Sequence, residues 1–324
     1  MEIGSFIELQ FPKGKEYYAG NGDIARLNSG RAAIYHALCV YSKKTLWLPY
    51  YQCDTVRDFL KRKKVTIRYY HIDENFNPLD LEPADNDAVL LVNYYGVMSN
   101  ARMKELSKKY KNVIIDNSQA FFNQPIRGCL NVYSARKFMG VPDGSYVIGA
   151  NANSFIDDYS QGYSSDTSLF LLQRIEHGCE GECYKSRMTN ERRIDNEDVL
   201  KMSLLSRKIL DGIDYSYIKE KRKINFSFAA DLFRDINKID PLFYYDDECV
   251  PMVYPLVIEN EKLMGELIKA KHFQGHWWSY LLDEVDSNTF EYYLSKYIIP
   301  ITIDQRYDVD DVRKLFDIVK DAVK

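Results

Sequence analysis

"AVLLVNYYGVMSNARMKELSKKYKNVIIDNSQ", Ala88 to Gln119, reads as strand, helix, strand. Its two apolar runs, "AVLLVNYYG" (88–96) and "NVIIDNSQ" (112–119), are continuous rather than alternating, the pattern of strands covered on both faces. Between them "NARMKELSKKYK" (100–111) is rich in helix formers. Strands joined through a helix lie parallel, since an antiparallel pair needs only a short turn. The same alternation extends upstream. "GRAAIYHALCVY" (30–41) has apolar residues at helical spacing, and "TLWLPYY" (45–51) is a buried strand stopped by Pro49. "DTVRDFLKRKK" (54–64) is an amphipathic helix and "VTIRYYHID" (65–73) the next strand. The expected fold class is therefore α/β, a three-layer sandwich with a mostly parallel central sheet between helices.

Downstream, the strand "YVIGA" leads into a polar stretch, roughly 151–198, that includes "DDYSQGYSSDTS" and is expected to be irregular. "EDVLKMSLLSRKILDGI" (197–213) and "DYSYIKEKRKINFSFAADLF" (214–233) read as helices. The last third holds two strands, "MVYPLVIE" (252–259) and "IIPITID" (298–304), with helices "EKLMGELIKAK", "SNTFEYYLSKY" and "DVDDVRKLFDIVKDAV" around them. We expect a large α/β domain over residues 1–212 and a smaller α+β domain over 213–324.

Bulk properties exclude several classes. The 324 residues are 46% hydrophobic and 28% charged, with a formal net charge of -4, so bulk charge gives no reason to expect nucleic acid as a partner. The basic clusters "KRKK" (61–64) and "KEKRK" (219–223) fall inside helical segments and read as solvated faces. No apolar run reaches about 18 residues, so no membrane span is expected. "MEIGSFIELQFPKGKEYY" lacks the basic start and apolar stretch of a signal peptide. The six cysteines are scattered and complete no zinc pattern, and free thiols in a reduced cytoplasm are the expectation. The 26 tyrosines suit packing and interfaces.

In open parallel sheets ligands bind beyond the carboxyl ends of the strands, so polar residues that follow an apolar run are candidates: Asn93, Asp116, Gln119 and Ser134. Asp116 follows two isoleucines, and a carboxylate there needs a partner. Ser29 and Gly30 open a helix, where free N–H groups favour a phosphate, and Arg31 adds charge at its mouth. Lys137, three residues after Ser134 and just before the turn Gly140–Gly144, is a candidate nucleophilic amine. Taken singly, each has a plain alternative: a turn cap, a capped helix, a surface lysine. Taken in chain order on one sheet, they supply a phosphate cradle, an acid for a ring nitrogen and a Schiff-base lysine, the three needs of pyridoxal 5'-phosphate.

With these residues in place, the chain resembles the DegT/DnrJ/EryC1/StrS family of pyridoxal-phosphate-dependent sugar aminotransferases, of aspartate-aminotransferase-type fold (fold type I). "NSGRAAIYHAL" resembles the family's Ser-Gly-Thr-Ala-Ala helix start, "LPYYQCDTV" its segment over the cofactor ring, and "VNYYGVMSNARMKEL" its His-Leu-Tyr-Gly stretch. "VIIDNSQAF" resembles its Asp-x-x-Gln, and "IIPITIDQRYDVDDV" its Pro-Ile-Asp-Gln-Arg-Tyr signature. The resemblance implies Lys137 as Schiff-base lysine and proton shuttle, Asp116 as pyridinium partner, and Gln119 at the ring substituents. Ser29, Gly30, Arg31 and Ser134 would hold the phosphate, with Cys53 and Asn93 also against the cofactor.

The chain departs from the family at Arg31 (usually threonine), at Cys53 (often an aromatic ring, with Tyr51 as the substitute), at Asn93 (usually histidine) and in the spacing of Ser134. Lys185 and Arg187 in "CYKSRMTNE" would correspond to an Asn-x-Arg offered across a dimer. The implied activity moves an amino group from a small-molecule donor such as glutamate to a keto-sugar or similar carbonyl acceptor, in a cytoplasmic homodimer serving polysaccharide biosynthesis. The alternatives are a lyase, dehydratase or epimerase using the same cofactor, or a non-catalytic binding relative.

Overall fold

The structure is a computed structural model that describes residues 3–273, 275 and 277–323. Its first half is β1 (Ile24–Leu27), α1 (Gly30–Val40), β2 (Thr45–Pro49), α2 (Asp54–Arg62), β3 (Thr66–Ile72), β4 (Pro78–Leu79), β5 (Ala88–Val92), α3 (Asn100–Ser107), β6 (Val113–Asn117), β7 (Leu130–Ser134) and β8 (Ser145–Ile148). The eight strands form one sheet in the order β1-β8-β7-β6-β5-β2-β3-β4. The run from β7 to β3 is parallel. Every residue of β5, β6 and β7 is buried, which is why these strands read as continuous apolar runs. β8 is antiparallel to both neighbours, so β1 at the edge again runs in the direction of β7.

The second half holds α4 (Leu169–His177), α5 (Glu182–Asn196), α6 (Leu204–Asp211), α7 (Tyr215–Phe233), β9 (Val253–Val257), α8 (Leu263–Lys269), α9 (Phe290–Tyr297), β10 (Ile298–Thr302) and α10 (Val309–Ala322). β9 and β10 form a separate antiparallel pair. Phe233 of α7 stacks on Tyr254 of β9 and meets Phe316 of α10 edge-on, so these elements bury one another.

Two expectations fail here. The stretch 151–198 is not irregular throughout, because it contains α4 and α5. Neither carries a clear core stripe: α4 buries nothing and α5 only Cys183, Asn190 and Ile194, so the periodic signal was weak. The helix expected over 197–213 begins only at Leu204, where the Ser203 hydroxyl accepts from the Ser206 amide as N-cap. Before it, the chain runs extended, with Lys201 bridging Leu27 at the edge of β1.

Candidate active site

Because β1, β2, β5, β6 and β7 all point one way, their carboxyl ends share one edge of the sheet. That edge collects the start of α1, residues 50–53 after β2, Asn93 after β5, Asp116–Gln119 at the end of β6, and Ser134–Lys137 after β7.

Asp116 is almost fully buried at the floor of this edge. Its Oδ2 accepts from Gln52 Nε2 at 3.0 Å and its Oδ1 from the Ser118 amide at 2.9 Å. Two bonds leave a carboxylate with further acceptor capacity, so the group is anchored while able to take another donor. Gln52 is itself pinned, its Oε1 accepting from the Cys53 amide at 2.9 Å. Gln119 Oε1 accepts from the Tyr95 amide at 2.7 Å. That bond fixes a tight turn in which Tyr95 and Gly96 both have positive φ. A Cβ at position 96 would lie 2.5 Å from the Gln119 carbonyl oxygen and 3.1 Å from Pro251 Cα, so this turn requires glycine. Asn93 braces the same loop: its Nδ2 donates to the Met98 carbonyl at 2.8 Å and its Oδ1 accepts from the Met98 amide at 3.2 Å.

At the start of α1 the Ser29 hydroxyl accepts from the Ala32 amide at 3.3 Å. The amides of Gly30 and Arg31 belong to the first turn, which has no intrahelical acceptors. Gly30 lies beside Ser118, whose Oγ would be 3.4 Å from a Cβ there, so the helix start meets the loop after Asp116. The Arg31 guanidinium turns to α5, pairing with Asp195 at 2.6 Å, rather than lying free at the helix mouth. Arg136 pairs with Glu191 of α5 at 2.5 Å. Burial works against the Glu191 carboxylate, but Arg136, with Arg187 and Arg31 further off, outweighs it and holds its pKa below the ordinary value.

Lys137 ends a single 3-10 turn, Ala135–Lys137, directly after β7. Its amine is exposed, pairs with no carboxylate among the described residues, and lies 6.0 Å from the centroid of the Trp277 ring. Trp277 stacks on Tyr95 with centroids 5.4 Å apart, and Trp278 meets Tyr51 edge-on at 4.4 Å. The segment is fastened to the sheet edge by the Tyr280 hydroxyl, which donates to the Gln52 carbonyl at 2.5 Å, and by Arg57, which bonds Glu284 through both nitrogens at 2.5 and 3.0 Å.

The remaining expected residues are placed as follows. Ser134 is buried at the end of β7, paired in the ladder with Ser145. Cys53 caps α2, with its Sγ 3.1 Å from Thr55 Oγ1. Tyr51 is no substitute ring face: it is wholly buried, hydroxyl to hydroxyl with Tyr95 at 2.8 Å, and burial pushes its pKa well up. The turn at Gly140–Gly144 packs against the rest of the chain, with Gly144 on Met202 and the Pro142 carbonyl accepting from Asn190 Nδ2 at 2.8 Å. Lys185 is exposed and pairs with Glu182 at 2.6 Å within α5.

Gln52, Ser118 and Trp277 went unread in the sequence. Gln52 sits in the quoted "LPYYQCDTV" one residue before the cysteine that drew notice, and a polar residue following an apolar strand was the available signal. Nothing local marks Trp277, because its place depends on the return of the C-terminal chain.

An anchored carboxylate with spare acceptor capacity, an unpaired amine and a free helix start fit the acidic, aldehyde and phosphate recognition that pyridoxal phosphate requires. No family model matches the chain, and no curated protein matches it by sequence. Solved structures do. A putative sugar aminotransferase, Spr1654 from Streptococcus pneumoniae, in its PMP form, superposes with a TM-score of 0.64 at 14% identity, covering 94% of this chain and 88% of that one. The sugar aminotransferase CalS13 from Micromonospora echinospora superposes with a TM-score of 0.62 at 13% identity, over 93% and 88%. The Escherichia coli GDP-4-keto-6-deoxy-D-mannose-3-dehydratase with bound hydrated PLP gives 0.61 at 14%, over 92% and 88%. The chain has the fold of these proteins, the three-layer α/β fold of pyridoxal-phosphate-dependent transferases.

Proposed function

We propose that the protein is a pyridoxal-phosphate-dependent aminotransferase that moves an amino group from an amino acid such as glutamate to a keto-sugar, nucleotide-linked or free, or to a similar carbonyl compound. The observation that carries this reading is the joint placement of the Asp116 carboxylate and the unpaired Lys137 amine on one strand edge beside the start of α1. Bound there, the cofactor would supply an electron sink for a carbanion next to the transferred nitrogen. Asp116 would hold a proton on the ring nitrogen, Gln52 and the Ser118 amide keeping that carboxylate in place. The first amides of α1 and Ser134 would bind the phosphate, and Lys137 would take and return the substrate proton. Gln119 and Asn93 act through the Tyr95–Met98 loop they pin.

The reading extends to a homodimer with residues 1–212 and 213–324 as its large and small domains. Its support is the rim. α4 exposes Leu169, Leu172 and Ile175 on one stripe, and Lys185 and Arg187 stand exposed on neighbouring α5, where a second copy would bring them to a cleft. The resemblance adds a place in polysaccharide synthesis, and six unpaired cysteines suit a reducing cytoplasm. Among the described residues no helix is long and apolar enough to cross a membrane.

The test is spectroscopic. Protein loaded with pyridoxal phosphate should be yellow, and borohydride should fix the label on Lys137; colourless protein that takes up no cofactor sinks the reading. Glutamate should bleach the colour of a transaminase. Retained colour with glutamate and every other amino donor, together with turnover of a deoxy-sugar precursor, would move the assignment to the dehydratase chemistry named for the Escherichia coli structure.

A further inference from the structure

We propose that Arg222 and Gln305 are positioning residues for Lys137, holding the turn Ala135–Lys137 in register with the floor of the cleft; this rests on the reading of Lys137 as the covalent lysine. Arg222 lies in α7, is 2% exposed, and has no carboxylate within ion-pair distance among the described residues. Its guanidinium makes directed contacts instead. Nη1 donates to the carbonyls of Met252 at 2.8 Å and Pro251 at 3.3 Å, and Nε donates to Gln305 Oε1 at 3.2 Å. Its centre stands 4.5 Å from the centroid of the Phe138 ring. The other end of Gln305 closes the loop, Nε2 donating to the Phe138 carbonyl at 2.9 Å. Phe138 follows Lys137 directly, so the residue beside the amine is gripped at its ring by Arg222 and at its backbone by Gln305.

The same guanidinium reaches the floor. The Met252 amide donates to the Tyr95 carbonyl at 2.8 Å, and the Tyr95 amide donates to Gln119. One side chain therefore joins the turn that carries the amine to the loop that Gln119 pins. A buried cation without a counter-ion is costly, and an apolar side chain of similar size would fill the volume more cheaply. Burial drags the Arg222 pKa down to about 10, against the favourable field of Asp304, which is itself held by Arg306. What arginine adds over such a filler is direction: several N–H bonds in fixed geometry, which lysine cannot reproduce.

The experiment is site-selective labelling of folded protein, checked by circular dichroism and run well below each variant's melting temperature. Pyridoxal phosphate and borohydride are added, and peptide mass spectrometry reads the label on Lys137 relative to the other lysines. Wild type should label Lys137 selectively. Arg222→Met should lose roughly tenfold or more of that selectivity, since a displacement of about 1 Å costs as much or more. Gln305→Leu should lose about fivefold, on the order of one hydrogen bond to the turn. Arg222→Lys should resemble Arg222→Met; recovery to wild type would show that charge alone suffices and would overturn the positioning role. Wild-type selectivity in folded Arg222→Met overturns it too. If Arg222→Met does not fold, Gln305→Leu decides: reduced selectivity supports the proposal and unchanged selectivity overturns it. A wild type that labels elsewhere removes Lys137 itself and with it both readings, whereas selective wild type with unaffected variants removes only this one.

Discussion

At the floor of the cleft Asp116, Gln52 and Gln119 are each at most 4% exposed, and each is tied to a named neighbour. At the rim α4 buries none of its residues, and the polar ends of Lys185 and Arg187 face solvent. The floor is complete within one chain: its carboxylate is oriented by Gln52 and the Ser118 amide before any ligand arrives. At the rim, α4 packs on α5 but leaves its stripe of Leu169, Leu172 and Ile175 exposed among the described residues. Chemistry that depends on the floor should therefore tolerate nothing there, while chemistry that depends on the rim should respond to whatever covers it.

Breaking the floor has the largest expected effect. Asp116→Ala removes the buried carboxylate at the end of β6, and turnover should fall about 10²–10³-fold, as for other preorganised electrostatic groups. Loss under threefold in a steady-state assay would mean the carboxylate only caps the loop. Breaking the rim should act less and differently. On the proposed dimer, Leu172→Glu should shift the sedimentation coefficient toward a monomer's and lower turnover about tenfold, with stability changed by no more than about 0.5 kcal/mol, as at an exposed site. An unchanged sedimentation profile would remove α4 from the interface.

The smallest effect lies behind the floor, at Asp304. Burial opposes its charge, yet the bonds from Arg306, with Arg222 further off, hold its pKa below the ordinary aspartate value. A carboxyl lowered on folding adds stability above its unfolded pKa, near 4, and loses it as pH falls through the folded value. Asp304→Asn should therefore cost about 1 kcal/mol near neutrality, an amount typical of a partly exposed pair, and flatten the acid limb of the melting-temperature profile. An acid limb identical to wild type would count against the pair.

Part of the sheet edge was legible in the sequence because its residues follow apolar runs: Asn93 after β5, Asp116 at the end of β6, Ser134 at the end of β7; Gln52, which also follows one, went unread. The parallel order then had to bring them to one edge. Their separate roles were less legible. Asn93 and Gln119 also brace the Tyr95–Met98 loop, and the Arg31 guanidinium pairs with Asp195, contacts set by loop geometry rather than by position after a strand. At the rim only Lys185 and Arg187 were singled out, through the resemblance; the helices that carry the rim were not, since α4 and α5 lack the buried stripe from which periodicity is recognised. Trp277 lay beyond reach for a third reason, and the expectation that "KEKRK" (219–223) forms a solvated face fails at Arg222, which is buried: the neighbours of both are distant in the chain.

That distance bears on how the protein is made. The Gln305 amide that grips Phe138 comes from a residue 167 positions later. During synthesis the sheet edge with Asp116 is available for pairing well before the ribosome has released Gln305. The nascent chain thus acquires its carboxylate early and its set amine late. If Lys137 is the covalent lysine proposed above, pyridoxal phosphate offered to a ribosome-bound chain should find it unfixed until Gln305 has emerged.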